Sequence, residues 1–419
     1  MSPASRTEMS STKSKLDAPP SVDRSQLYKL PIDARPPHMR WLPALLFACI
    51  YNFGCISIVA FQLLVWPLQL FEPTRKWHYE LIDWTKESFA LLCMCVIQWF
   101  APVKIVMTAD EGIDLDSLVT TDAKGQLVEF KLPQKFICIA NHQNPRANGK
   151  QCYMDWMYLW CTLSFAHAHA HIYIILMDRF KWIPVVGWGM QFYRFMFIKR
   201  SWIADRIYLG KNLLKLGQWA MKASEPFVLL IYPEGTLVSD STRALSRKYS
   251  EKTGIPDMTN MLLPRSTGLL FCLRTLSPSI PDLGLVDFTV GYAGIPAAGY
   301  GQDYYTLRSV FFNGISPPTL HLHLRVWQAK DLPLGDMSDS ATRGAEATQE
   351  EKDVFDKWLL DRWREKDRLM DEFYKNGEFP TFKGRYEWPM QVKNAAEVAQ
   401  AFVYFIPVIV GWLVYRTFW

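Results

Sequence analysis

Between residues 135 and 292 the chain repeats one pattern: a short apolar run, a turn, then a longer segment with helical spacing. Apolar runs fall at 135–140, 172–176, 195–198, 227–232 and 285–292, with helical stretches at 154–165 and 202–222 between them. Runs of four to eight apolar residues bounded by turn signals read as strands buried on both faces, and their alternation with helices predicts a mainly parallel sheet flanked by helices, an α/β fold. A further apolar run at 320–327 predicts another strand. Residues 348–374 are heavily charged with Phe355, Trp358, Leu359, Trp363 and Leu369 on one side, which predicts a long amphipathic helix.

The flanks of this region are of a different kind. Residues 1–40 are rich in Ser, Pro, Lys and Asp without hydrophobic periodicity, and read as a disordered cytosolic tail. Residues 41–71 are apolar and almost uncharged, longer than the roughly 20 residues that cross a bilayer. Residues 88–107 form a second apolar stretch, read equally as a core helix or as membrane contact. Residues 398–414, with Pro407 inside and Arg416 and Trp419 beyond, form a third. The expected organisation is a tail at 1–40, N-terminal membrane helices at 41–107, the α/β domain at 108–347, a charged helical extension at 348–390 and a C-terminal membrane helix at 391–419. An aromatic share of 14% with 17 Trp fits contact with a bilayer interface. The net charge of +5 suits an anionic lipid surface and is too small to argue for nucleic acid. The eight cysteines lack a C-x-x-C or zinc spacing, so reduced thiols are expected.

Chemistry concentrates at the predicted strand ends. His142, in Asn141-His142-Gln143, follows the first strand and should stand at the carboxyl edge of the sheet, where open α/β sheets bind ligands. A neutral imidazole there can take a proton from a hydroxyl attacking an acyl carbonyl. Asp155 is the carboxylate nearest in sequence that can fix its tautomer. The alternative is a histidine that only caps a helix. Tyr232-Pro233-Glu234-Gly235-Thr236 follows another strand, either as a turn offering N–H groups to an anion or as a plain tight turn. Lys199 and Arg200 close a strand after Phe197 and can clamp a phosphate or simply sit in solvent. Arg265, opening a helix, is a second anion contact. His167, His169 and His171 alternate with no carboxylate or cysteine spaced with them, so loop histidines are a better reading than a metal site.

In this order the pieces resemble the glycerolipid acyltransferases of the PlsC type, over roughly residues 130–300. The runs at 182–189, 231–236 and 262–268 and the Trp358…Trp363-Arg364-Glu365-Lys366-Asp367 segment are similar to the eukaryotic branch of lysophosphatidate, lysocardiolipin and lysophosphatidylinositol acyltransferases. The resemblance implies His142 and Asp155 as a catalytic dyad. It implies Phe197 and Arg200 on the phosphate side of the lysolipid, and Glu234, Gly235 and Thr236 at the glycerol-phosphate acceptor. Lys199, Arg265 and Pro296 are further candidates, Pro296 matching a late proline motif poorly. It further implies acyl-CoA as co-substrate, no metal or bound cofactor, and a place in the endoplasmic reticulum membrane facing the cytosol.

One departure stands out. The family has Asp five residues after His, whereas Asp155 lies thirteen after His142. Removing residues 144–151 restores the family pattern. Three explanations are open: a loop that bulges outward and leaves the dyad intact, a segment that displaces His142, or unspliced sequence carried into the translation. Three functions compete accordingly: an acyl-CoA-dependent lysophospholipid acyltransferase, a CoA-independent phospholipid transacylase, and a membrane lipid-binding protein with an impaired site. The arginines at 35 and 40 favour a cytosolic amino end, and Arg75 with Lys76 blunts that signal.

Overall fold

The computed structural model describes residues 23–37, 39–123, 125, 127–142, 154–199, 201–235, 240–297, 299–338 and 346–418. Ten strands are present: β1 (Lys104–Ala109), β2 (Val119–Thr121), β3 (Leu127–Phe130), β4 (Lys135–Ala140), β5 (Ile172–Met177), β6 (Met196–Ile198), β7 (Phe227–Ile231), β8 (Gly284–Tyr292), β9 (Thr319–Gln328) and β10 (Tyr386–Pro389). Eight form one sheet in the order β10-β1-β9-β8-β4-β7-β5-β6, and β2 and β3 pair separately.

The sheet is mixed. Strands β8, β4, β7, β5 and β6 run parallel, as expected from the alternation with helices. Beyond them β9 runs antiparallel to β8, β1 runs parallel to β9, and β10 closes the edge antiparallel to β1. The β8–β9 pairing is direct because both strands are long and apolar and register over nine positions, Gly284↔Gln328 to Tyr292↔Leu320.

Alternate residues of the central strands feed two separate cores, the consequence of a period of two. Phe136, Cys138 and Ala140 of β4 point to one layer, with Val228, Leu230, Val286 and Phe288. Ile137 and Ile139 point to the other, with Leu229 and Leu285. The first layer is made by the helices Trp41–Val65, Arg75–Phe100 and Asp155–Ser164. The second is made by Trp202–Ala223, Ser266–Leu276 and Gln349–Asn376. The last opens with a capping box between Thr348 and Glu351 and ends at Gly377 in the left-handed region.

A buried ion network ties this long helix to the sheet. Asp287 on β8 accepts from Arg325 on β9 at 2.7 Å and from the Lys366 ammonium, which also reaches Phe288 O at 3.0 Å. Arg325 in turn holds Glu365 at 2.8 Å. Each buried charge therefore has a partner.

The flanks bear on the expected membrane segments. Among the described residues one helical stretch, Trp41–Leu70, is long and apolar enough to cross a membrane. It lays Phe47, Ile58, Val59 and Val65 against the molecule and leaves Leu42, Leu45, Leu63 and Leu64 exposed. The stretch 88–107 is not a span: it is the buried half of Arg75–Phe100 followed by β1, and Pro102 marks the break. No C-terminal stretch among the described residues is one helix long and apolar enough to cross a membrane. Ala395–Phe402 packs on Arg75–Phe100, Trp99 stacking on Phe402 at 5.7 Å, and Phe405–Phe418 follows as a separate 14-residue helix. Residues 1–22 and 38 of the expected tail lie outside the described residues. The remainder is ordered, with Arg35 donating to Tyr304 O at 2.7 Å.

Candidate active site

Because β4, β7 and β8 are adjacent and parallel, the residues after them meet at one edge. Asn141 follows β4, and its side chain completes a backbone-like pair with β8: Val290 N–H donates to Oδ1 at 2.8 Å and Nδ2 donates to Val290 O at 3.2 Å. That pair fixes where His142 leaves the sheet. Tyr232, just after β7, stacks on the His142 ring with centroids 3.8 Å apart and planes 12° from parallel.

Asp155 is the first residue of the helix Asp155–Ser164, a position where a carboxylate is favoured by the helix dipole. It is buried, and its Oδ2 lies 3.0 Å from His142 Nδ1. The thirteen-residue step is thus bridged, although residues 144–151 themselves lie outside the described residues. Its other oxygen, Oδ1, accepts the Tyr292 hydroxyl at 2.6 Å. Tyr292 ends β8 and is buried. Burial, reinforced by the Asp155 charge, pushes its phenol well above the usual range, so it remains a donor. With Nδ1 turned to a carboxylate, His142 carries its proton there and leaves Nε2 as the acceptor.

Glu234 is 1% exposed, and its Oε1 accepts the His142 N–H at 3.2 Å. Burial raises its carboxyl from 4.5 to about 8, opposed by the His142 hydrogen bond. The resemblance made Glu234 an acceptor contact. Its side chain is turned inward, with Oε1 beside the His142 backbone. Gly235 adopts φ +65°, the left-handed region, and a Cβ there would come within 3.4 Å of Arg265 Cδ. Arg265 donates its backbone N–H to Pro233 O at 2.7 Å, which closes the turn against the start of Ser266–Leu276, and its side chain is exposed beside Gly235. Thr236 lies outside the described residues.

The other candidates are set apart. Phe197 on β6 and Lys199 just after it stand three strands from β4, and Arg200 lies outside the described residues. Asp205 holds that corner, taking the Lys199 N–H at 3.0 Å and the Ser201 N–H at 2.8 Å. Pro296 is exposed in the turn after β8. His169 and His171 are not loop histidines on the surface. Each is largely buried and paired, with Glu87 and Glu225 respectively, both at 3.3 Å. Among the described residues no group of His, Cys, Asp and Glu can hold a metal ion.

Sequence reasoning found His142, Asp155 and Glu234 and missed Tyr292, Tyr232 and Asn141 as their supports. A tyrosine closing a fully buried strand was the available signal, since a buried hydroxyl needs a partner.

The chain is similar to known acyltransferases. A family model described as acyltransferase matches residues 127–291, and one described as acyltransferase C-terminus matches residues 346–405. An uncharacterized acyltransferase of Schizosaccharomyces pombe is 30% identical over 87% of this chain and 94% of its own length. The 2-acyl-1-lysophosphatidylinositol acyltransferase of Saccharomyces cerevisiae is 30% identical over 79% of this chain and 84% of its own. Lysocardiolipin acyltransferase 1 of Danio rerio is 28% identical over 74% of this chain and 65% of its own.

Proposed function

We infer, since this chain belongs to the acyltransferase family, that it moves a fatty acyl group from acyl-CoA to the free hydroxyl of a lysophospholipid. The observation that carries this reading is the His142–Asp155 contact at the carboxyl edge of the sheet, with Nε2 left to accept a proton. In this scheme Nε2 takes the proton of the lysolipid hydroxyl as its oxygen attacks the thioester carbonyl. The tetrahedral intermediate collapses, the C–S bond breaks, and the imidazolium returns the proton to the departing thiolate. Asp155 holds the tautomer and stabilises the imidazolium. The chemistry calls on no metal and no bound cofactor.

Arg265, exposed beside Gly235, supplies the cation nearest the turn and suits the acceptor phosphate, with Thr236 next to it in sequence. Phe197 and Arg200 serve the phosphate side of the lysolipid, with Lys199 between them in sequence, and Pro296 bounds the turn after β8. Glu234, Gly235 and Thr236 form the side towards the glycerol-phosphate acceptor, and Glu234 also holds the His142 backbone. The names of the yeast and fish relatives make lysophosphatidylinositol and lysocardiolipin the first acceptors to try.

The apolar stretch Trp41–Leu70 supports a bilayer location. The reading sets the enzyme in the endoplasmic reticulum membrane with its site towards the cytosol, where acyl-CoA is available. Cleavage by added protease only after detergent would sink that orientation.

The test is acyl transfer by membranes expressing the full chain, given labelled oleoyl-CoA and a panel of lysolipids. Product that requires added oleoyl-CoA and disappears in His142→Ala upholds the reading. Product formed equally well without it identifies a transacylase. Lipid binding without turnover identifies an impaired site.

A further inference from the structure

The helix Trp202–Ala223 buries Leu209, Leu213 and Leu216 in the second core and turns another face outward. At about 100° per residue, Ile203, Ile207, Leu214 and Met221 fall within about 40° of one another on that outer face. All four are exposed, Ile203 at 77% and Ile207 at 73%. Lys211, Lys215 and Lys222 follow this stripe along one flank, exposed and without an ion-pair partner among the described residues. Arg206, on the opposite flank, pairs with Glu346. The helix has one acid, Asp205, which is buried and taken up by the Lys199 and Ser201 N–H groups. A helix that faces water mixes both signs of charge on its outer side. An apolar stripe bordered by lysines, with no exposed acid, is the pattern of a helix lying in a membrane interface.

The stripe is continuous with other uncovered apolar groups. A groove of about 910 Å³ beside the edge strand β6 separates Tyr208 and Asn212 of this helix from Asp178, Lys181 and Gln191. On that far side Trp182, Ile183 and Trp188 are exposed. Their segment packs on the long apolar helix, since a Cβ at Gly189 would come within 3.2 Å of Val59. Leu63 and Leu64 of that helix are exposed in turn. The series therefore passes from Trp41–Leu70, around the β6 edge, to the outer face of Trp202–Ala223. Lipid matches each part of it: acyl chains for the aliphatic groups, headgroup level for the tryptophans, negative charge for the lysines. A second copy docked through the same helix face would bring no acid to meet those lysines.

We propose that the outer face of Trp202–Ala223 seats in an anionic lipid surface, as a second membrane contact that brings the β6 edge of the sheet down onto the bilayer. The inference rests on the bilayer location given above and deepens it. It turns the end of β6, with Phe197 and Lys199, towards the headgroups, and it makes the seating of the molecule depend on the charge of the lipid.

The experiment places the full chain in phosphatidylcholine vesicles, with or without phosphatidylserine. An environment-sensitive fluorophore on Ile207→Cys reports insertion through its quenching by spin-labelled lipid. The unaltered chain, treated alike, gives the background from the native cysteines. The expected result is quenching in the anionic vesicles and much less in phosphatidylcholine alone. Adding Lys211→Glu and Lys222→Glu should lower the ratio of seated to unseated molecules roughly tenfold or more, whereas Lys211→Arg with Lys222→Arg should keep it. Both lysines are exposed and stand outside the groove, so folding and turnover in detergent micelles should hold. A label that stays unquenched while the chain floats with the vesicles would overturn the proposal, as would equal quenching in the glutamate variant. Protection of the label in detergent that grows with protein concentration would assign the face to a second copy and overturn it too. A chain that does not float with vesicles of either kind would sink the bilayer location itself, and this contact with it.

Discussion

Asp155 divides its carboxylate between two partners, facing His142 Nδ1 at 3.0 Å with one oxygen and accepting the Tyr292 hydroxyl at 2.6 Å with the other. The tyrosine thereby fixes the angle at which the acid meets the imidazole. Tyr292→Phe keeps the ring in its buried slot and removes only the hydroxyl. The turnover number should fall by roughly tenfold, the value of one hydrogen bond to a charged group. Initial rates with a saturating donor check this, and an unchanged rate would show that the hydroxyl does not orient the dyad.

Removing the dyad itself should have a larger effect. His142→Ala deletes the general base and should lower turnover by roughly 10²–10⁴-fold. Asp155→Asn preserves the shape but allows the wrong tautomer, and should approach the upper end of that range. Lysolipid binding by both variants, measured on vesicles, should stay near that of the parent.

The run of strands from β4 to β9 was legible in the sequence because each is an apolar segment that no exposed helix would carry. The outer strands were not. β1 is fused to the buried half of Arg75–Phe100 in one apolar stretch, so periodicity alone cannot divide helix from strand there. β10 has four residues and owes its place to pairing with β1 across the chain, Lys104 opposite Pro389. The site followed the same rule. His142, Asp155 and Glu234 announce themselves by residue type beside turns. Tyr292 and Asn141 act through partners far away in sequence, and their residue types alone do not say which.

Glu234 gives the fold a pH dependence of definite sign. Its carboxyl titrates near 8 when folded, against 4.5 ordinarily, so the folded state holds the extra proton between those values. The resulting stabilisation is complete below about 4.5 and is lost as pH rises through about 8. Glu234→Gln carries no titrating proton there. Thermal melts from pH 5 to 9 should show the parent losing stability relative to this variant as pH rises, and parallel curves would contradict it.

The eight residues at 144–151 should be dispensable. The dyad is in contact across the longer segment, and lengthening a loop from five to thirteen residues costs only about 1 kcal/mol. A chain lacking 144–151 should therefore keep turnover within a few-fold of the parent in the same membrane assay. Activity confined to the shortened chain would mean that the segment displaces His142.

Asp287 anchors two buried cations, Arg325 and Lys366. Asp287→Ala would leave buried Lys366 without a carboxylate and Arg325 with Glu365 alone, a change worth roughly 3–5 kcal/mol. Denaturant midpoints in detergent should drop accordingly. Lys366→Met, which removes one charge and keeps the chain length, should cost less.

The edge of the sheet also bears on how the protein is made. β1 emerges from the ribosome early, yet it is bracketed by β9 and β10, strands that are synthesised more than two hundred residues later. The amino-terminal portion cannot finish its own sheet while translation proceeds, and it carries an apolar helix with an uncovered side during that wait. A nascent chain of this design needs lipid or a chaperone to shelter it until its last strand arrives, and premature termination before Tyr386 should yield an aggregating product rather than a smaller enzyme.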